Sequence, residues 1–145
     1  MKTPKSSDDL IKEIFLCVDL TEKLGDLRLR QLMKLLPKVS DEIILESVIK
    51  VFNNKDRNET LYVDQLYAGK ILTNVNPKSD IDLKSILNEI LENWNKSIRD
   101  MPFWLFNNYK KEDLNNELLS IVDDSFESNE RRDKAETMMW WIKSM

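Results

Sequence analysis

The stretch SDIDLKSILNEILENWNKSIRDMPFWLF, residues 79–106, decides the fold class. Its apolar side chains recur at helical spacing and share one face of a helix, namely Leu83, Ile86, Leu87, Ile90, Leu91 and Trp94. Ser79 or Asp80 can accept hydrogen bonds from the first-turn amides, so the pattern predicts a helix that ends near Trp94. An unbroken apolar run follows Pro102. The stripe has to be buried against other helices, and we expect Trp94 in the core.

Helical spacing continues in the rest of the chain and predicts helices at about residues 8–23, 27–36, 41–53, 58–74, 111–122 and 128–145. Only two glycines occur, whereas a sheet protein needs many tight turns. We therefore predict one all-α domain over residues 1–145 with about eight helices, in which residues 1–7 form a disordered polar leader. The helix starts suggest two-helix units of unequal length. A HEAT- or armadillo-like stack of antiparallel pairs and an irregular helical bundle both remain open.

Composition excludes several classes of protein. Histidine is absent, which removes the commonest general acid or base and the commonest metal ligand, so we predict no catalytic, cofactor or metal site. The single cysteine, Cys17, lies among apolar neighbours and is expected to be a buried small side chain. No segment has the length of a membrane span or the pattern of a signal peptide. We expect a cytoplasmic, monomeric protein without a membrane partner.

Charge is unevenly distributed along the chain. The net charge is −4, and residues 80–145 hold nine basic and fourteen acidic side chains. This balance disfavours nucleic acid, whose binding depends on clustered lysine and arginine. A basic protein partner is electrostatically favoured, and we expect it to approach the C-terminal half.

The last helix offers the clearest candidate for a binding site. Trp140 lies nearly opposite the apolar stripe of this helix and shares its face with Asp133 and Glu136. A tryptophan on a polar face fits an interface anchor. In the other interpretation, which we prefer at this stage, the last helix is covered on both sides, with the aromatic segment near Trp104 over Trp140.

Asp123 and Asp124 form the tightest carboxylate cluster, together with Glu127. Oxygen ligands at this spacing could hold Ca²⁺ or Mg²⁺, but the loop has neither a glycine nor the alternating ligand pattern of such sites. A solvated helix end is the simpler interpretation. We therefore assign Asp123 and Asp124 to the acidic partner-binding surface.

Three segments resemble a known group of proteins. They are LYAGKILTNVNPKSDIDL at residues 66–83, LENWNKSIRDMPFWL at residues 91–105, and TMMWWI at residues 137–142. Together they resemble small bacterial HEAT-like proteins, in which a Trp-Asn helix end precedes a Ser-to-Pro-aromatic turn. That pattern places a Phe-Gly pair after the turn, where this chain has Asn107 and Asn108. The resemblance implies an αα-repeat fold and a protein-binding role, as in small acidic immunity proteins that neutralise toxins.

We therefore predict a non-enzymatic protein-protein interaction module, an adaptor or immunity-like protein with a basic partner. One alternative is an enzyme or small-molecule binder with an aromatic pocket around Trp94, Phe103 and Trp104. Another is a structural subunit of a larger assembly. The missing catalytic residue types favour the module over the enzyme.

Overall fold

The computed structural model describes residues 1–145 and consists of nine α-helices without a strand. They are α1 Ser7–Asp19, α2 Thr21–Leu24, α3 Leu27–Leu35, α4 Asp41–Asn53, α5 Leu61–Val75, α6 Leu83–Ile90, α7 Asp100–Asn108, α8 Lys111–Asp123 and α9 Asn129–Lys143. One 3-10 turn, Leu36–Lys38, follows α3. The all-α prediction is confirmed. The extra helix arises because the first predicted helix is interrupted at Leu20.

Side-chain caps mark the start of four of the nine helices. The hydroxyls of Ser6, Ser40 and Ser128 accept from the backbone amides three residues further on, and Asp82 does so for α6. Because Ser6 caps α1, this helix begins at Ser7, within the expected leader. Pro4 is also buried, so the leader contacts the fold there.

The helices pack as pairs in two rows. In the first row α1 contacts α4, α4 contacts α6, and α6 contacts α8. In the second row α3 contacts α5, α5 contacts α7, and α7 contacts α9. The pairs α4 with α5 and α8 with α9 join the rows. The fold is thus a stack of helix pairs, and α9 lies at the end of the second row.

A single core unites the two rows. Its 32 buried apolar residues form one cluster that includes Trp94 and Trp104, so the chain has one continuous core. Trp94 is fully buried, which confirms its predicted place. Cys17 is also buried, at 1% exposed. None of the helices combines the length and apolar content that crossing a membrane requires.

The helix α6 is shorter than predicted. It ends at Ile90, and Asp82 caps it in place of Ser79 or Asp80. The chain then forms a turn because the buried amide of Gln65 binds its backbone: Nε2 donates to the carbonyl of Asn93 over 2.8 Å, and Oε1 accepts from the amide of Asn95 over 2.7 Å. A contact from α5 therefore holds the turn that follows α6.

Candidate functional site

The C-terminal helix α9 is held on the fold by its inner face. Ala135, Met138 and Ile142 are fully buried against the core, and α9 packs on α7 and α8. Lys134 ties α9 to the turn after α6, since its Nζ donates to the carbonyls of Glu92 over 3.0 Å and Trp94 over 2.5 Å. Burial is the largest influence on the Lys134 amine, and it lowers the pKa of this group. The helix is thereby fixed in position.

The outer face of α9 carries the predicted partner-binding residues. Asp133, Glu136 and Trp140 are all exposed, and their spacing of three and four places them in one stripe. Trp140 is 60% exposed, so the interpretation that buries it under a covering segment is wrong. The physical reason is that α9 ends its row of helices. Trp104 instead lies in the core, where its Nε1 donates to the carbonyl of Pro77 over 3.0 Å.

The two acidic residues of this stripe differ in their partners. Asp133 forms an ion pair with Lys96, which neutralises much of its charge. Glu136 forms no hydrogen bond or ion pair within the chain. The carboxylate of Glu136 is thus free for a partner, one helical turn from the Trp140 ring.

Trp140 belongs to a larger aromatic surface. Its ring lies 5.0 Å from that of Trp141 in an edge-to-face arrangement. Trp141 is held in turn because its Nε1 donates to the carbonyl of Lys96 over 2.8 Å. We call Trp140, Trp141 and Phe103 the aromatic edge. Its residues lie on α7 and α9, and the turn before α7 holds Trp141 through the carbonyl of Lys96.

An open cleft of about 430 Å³ adjoins the aromatic edge. It is lined by Thr73, Arg99, Asp100, Phe103, Trp141, Ser144 and Met145. Phe103 and Met145 contribute exposed apolar surface, at 45% and 39% exposure. Arg99 forms no ion pair within the chain. The cleft thus combines apolar walls with one cation, Arg99, and one carboxylate, Asp100.

The predicted pocket around Trp94, Phe103 and Trp104 is not formed. Trp94 and Trp104 are core residues, and their indole nitrogens are satisfied by the carbonyls of Ile98 and Pro77. Phe103 lies at the surface instead, because neighbouring residues on α7 point about 100° apart. Only Phe103 of the three lines the open cleft described above.

Asp123 and Asp124 lie away from the aromatic edge, where α8 joins α9. Asp124 accepts from the amide of Phe126 over 2.9 Å, and Glu127 pairs with Arg131 over 2.8 Å. No group of three acidic or cysteine side chains is arranged to hold a metal ion. The cluster thus shapes the loop locally.

Two features of the structure were not predicted from the sequence. Phe126 is 98% exposed in the loop before α9. An isolated apolar residue in a polar stretch of sequence is the pattern that could have indicated its exposure. The second is a charge cluster at the edge of the core: Asp64, fully buried on α5, binds Arg57, whose guanidinium also binds the exposed Asp19. The pKa of Arg57 is raised, and its hydrogen bonds to Asp64 contribute most to this shift. This cluster joins α1 to α5, a structural role that no local pattern signals.

The chain matches no protein-family model, no curated protein and no solved structure. The aromatic edge and the exposed stripe on α9 are therefore the features from which we infer a function.

Proposed function

We propose that this protein is a non-enzymatic binding module for another protein, and that the outer face of α9 contacts a basic surface of that partner. The observation that carries the proposal is the exposure of Trp140, at 60%, beside the unpaired carboxylate of Glu136. Most monomers bury their tryptophans, and exposed tryptophans are enriched among the anchors of interfaces.

The pair of Trp140 and Glu136 suits an arginine of the partner. A guanidinium can stack on the indole face while it donates two hydrogen bonds to a carboxylate. Glu136 lies four residues before Trp140, a spacing that brings the two side chains to the same surface. The edge-to-face contact with Trp141 supports one side of the Trp140 ring. A rigid aromatic anchor loses little conformational entropy on binding.

In this proposal the protein acts in the cytoplasm as a monomer, as an adaptor or an immunity-like protein. The acidic composition supports a basic partner, and the helix-pair stack supports the αα-repeat resemblance. If the protein were instead a structural subunit of an assembly, it would contact its neighbour through the same face of α9. A partner that stays bound through purification under all conditions would favour that role, whereas reversible binding favours the module.

A second candidate function is small-molecule binding in the cleft next to Phe103. Its volume of about 430 Å³ falls within the range of ligand sites, roughly 300–1,000 Å³. The guanidinium of Arg99 and the carboxylate of Asp100 favour a ligand that carries an anionic and a cationic group beside an apolar part. A thermal-shift screen of such ligands tests it: a hit whose stabilisation disappears in Arg99→Gln supports this function.

The experiment for the binding module compares matched variants on a captured partner. Products of neighbouring genes are the first candidates, tested as purified proteins by surface plasmon resonance. We expect Trp140→Ala to weaken binding by at least about 2 kcal/mol, or about thirtyfold. Glu136→Gln should weaken it by about 1 kcal/mol, since one charge-assisted bond is lost.

Matched controls separate recognition from folding. Tyr62→Ala removes an exposed aromatic ring on α5, at 49% exposure, and should leave the affinity unchanged. All three variants should melt within a few degrees of the parent, because surface substitutions cost little stability. Equal binding by Trp140→Ala and Tyr62→Ala would contradict the proposal.

A further inference from the structure

A groove lies between α4, α6 and the loop that precedes α6. It comprises two adjoining cavities of about 590 and 260 Å³, which share Glu46 and Ile81 as lining residues. Leu45, Ile49 and Ile86 also line it. Leu45 and Ile86 are buried, at 3% and 1% exposure, and form a floor. Ile81 stands at one edge and is 39% exposed. The groove is therefore apolar at its base and open to solvent.

The rim of the groove is acidic. Its charged side chains are Asp41, Glu42, Glu46, Asp80 and Glu89, against the two lysines Lys50 and Lys78. Some of the acidic groups are already engaged within the chain. Lys50 binds Glu46 over 3.0 Å, the backbone amide of Lys78 donates to Asp41 over 3.0 Å, and Asn53 donates to Glu89 over 3.0 Å.

Glu42 and Asp80 form no hydrogen bond or ion pair within the chain, although both line the larger cavity. They are therefore free to bind a cation. Fixed negative charge beside an apolar floor attracts a segment that presents both cationic and apolar side chains.

We propose that this groove binds a basic amphipathic helix of a partner protein. The apolar face of the helix would lie on Leu45, Ile49 and Ile81, and its lysine or arginine side chains would reach Glu42 and Asp80. A helix suits the groove because it satisfies its own backbone hydrogen bonds. The floor consists of side chains on helices, whose main chain offers few free groups to an extended peptide.

This surface is separate from the outer face of α9. No residue lines both, and the groove lies in the first row of helices while the aromatic edge lies in the second. Binding at the groove can therefore be tested independently of the function proposed for Trp140.

A synthetic peptide provides the test. The probe is a fluorescein-labelled helix of about four turns made only of leucine and lysine at amphipathic spacing. Two control probes have the same composition in scrambled order, or glutamate in place of lysine. In fluorescence anisotropy at about 0.1 M salt, we expect the amphipathic lysine peptide to bind at least about tenfold more tightly than either control.

Matched variants locate the binding site. Glu42→Lys should weaken binding about tenfold, whereas Glu112→Lys should have little effect, because Glu112 is also an exposed glutamate at the second position of a helix. Ile81→Ser should weaken binding about fivefold. Leu27→Ser is its control, since Leu27 is 40% exposed elsewhere on the surface.

Trp140→Ala tells the two surfaces apart. If the groove is the site, this variant binds the peptide like the parent. The proposal is overturned if Glu42→Lys and Glu112→Lys weaken binding equally, if the scrambled peptide binds as tightly, or if Trp140→Ala abolishes binding. Methyl NMR with labelled isoleucine adds a positional readout: Ile49, Ile81 and Ile86 should shift while Ile142 does not, and the reverse pattern also rejects the groove.

Discussion

Gly69 on α5 lies directly against Asp100, the first residue of α7. A β-carbon built on Gly69 would meet the Asp100 β-carbon at 2.9 Å and its Oδ2 at 3.0 Å. Gly69 is fully inside a helix, where glycine costs about 1 kcal/mol relative to alanine. The close approach of α7 to α5 explains why glycine occupies this position despite its lower helix propensity. It also fixes the start of α7, from which Phe103 reaches the aromatic edge.

Gly69→Ala should therefore destabilise the protein by about 1–3 kcal/mol, despite the better helix propensity of alanine. The added methyl group would push α7 away, because the nearest atom is the Asp100 β-carbon and a β-carbon cannot rotate aside. Urea denaturation followed by circular dichroism measures the change.

The double variant Gly69→Ala/Asp100→Gly supplies the control. Asp100→Gly removes the side chain that clashes with the new methyl group. The double variant should therefore be more stable, by about 1 kcal/mol or more, than the sum of the two single changes in unfolding free energy predicts. Strictly additive effects would show that the clash does not determine the loss.

Trp94→Ala should cost about 3–5 kcal/mol of folding free energy, because the indole is fully buried and its Nε1 donates to the carbonyl of Ile98 over 2.9 Å. Trp140→Ala is the matched control: the same side chain is removed from the surface, and we expect a change below about 0.5 kcal/mol. Chemical denaturation of both variants in parallel makes the comparison. A loss below about 1 kcal/mol in Trp94→Ala would contradict the core assignment.

Local signals predicted the helices well. The sequence around Ser40 predicts α4 correctly over its whole length, since the Ser40 hydroxyl accepts from the amide of Ile43 over 3.3 Å and the helix ends at Asn53. Gly25 ends the first helical region with a φ of 58°, as its lack of a β-carbon suggests. Such signals lie within a few residues of the feature that they determine, so one sequence is enough to detect them.

The errors came from long-range contacts. The turn after α6 is held by Gln65, which is 28 residues before its partner Asn93 in the chain, and no local pattern at Trp94 reveals this contact. The exposure of Trp140 likewise depends on the place of α9 at the end of a row. The sequence placed Trp140 on the polar face of its helix, but only the tertiary packing shows that no segment covers that face.

Cys17 should make the stability of the protein depend on alkaline pH. Burial, and secondarily the charge of Glu13, raise the pKa of the Cys17 thiol from 9.0 to about 11, while Arg28 acts in the opposite direction. The folded state therefore holds this proton more tightly than the unfolded state. The corresponding stability is present below pH 9 and is lost as the pH rises through about 11, a change of roughly 2–3 kcal/mol.

The difference between the parent and Cys17→Ala isolates this effect, since lysine and tyrosine titrations are common to both proteins. We expect the difference in unfolding free energy between the two to narrow from pH 8.5 to about 11. A difference that stays constant with pH would mean that the thiolate is as well solvated in the fold as in the unfolded chain.

Salt should slow the association of the basic partner with the α9 face. Asp133 is paired with Lys96, so Glu136 supplies the free negative charge beside Trp140. Raising the salt from about 0.05 to 0.5 M shortens the screening length below about 5 Å, and stopped-flow on-rates should fall about tenfold. Glu136→Gln should reduce this salt dependence more than Glu112→Gln, which removes the same charge at the start of α8. An on-rate indifferent to salt would mean that the acidic residues keep the protein soluble without attracting its partner.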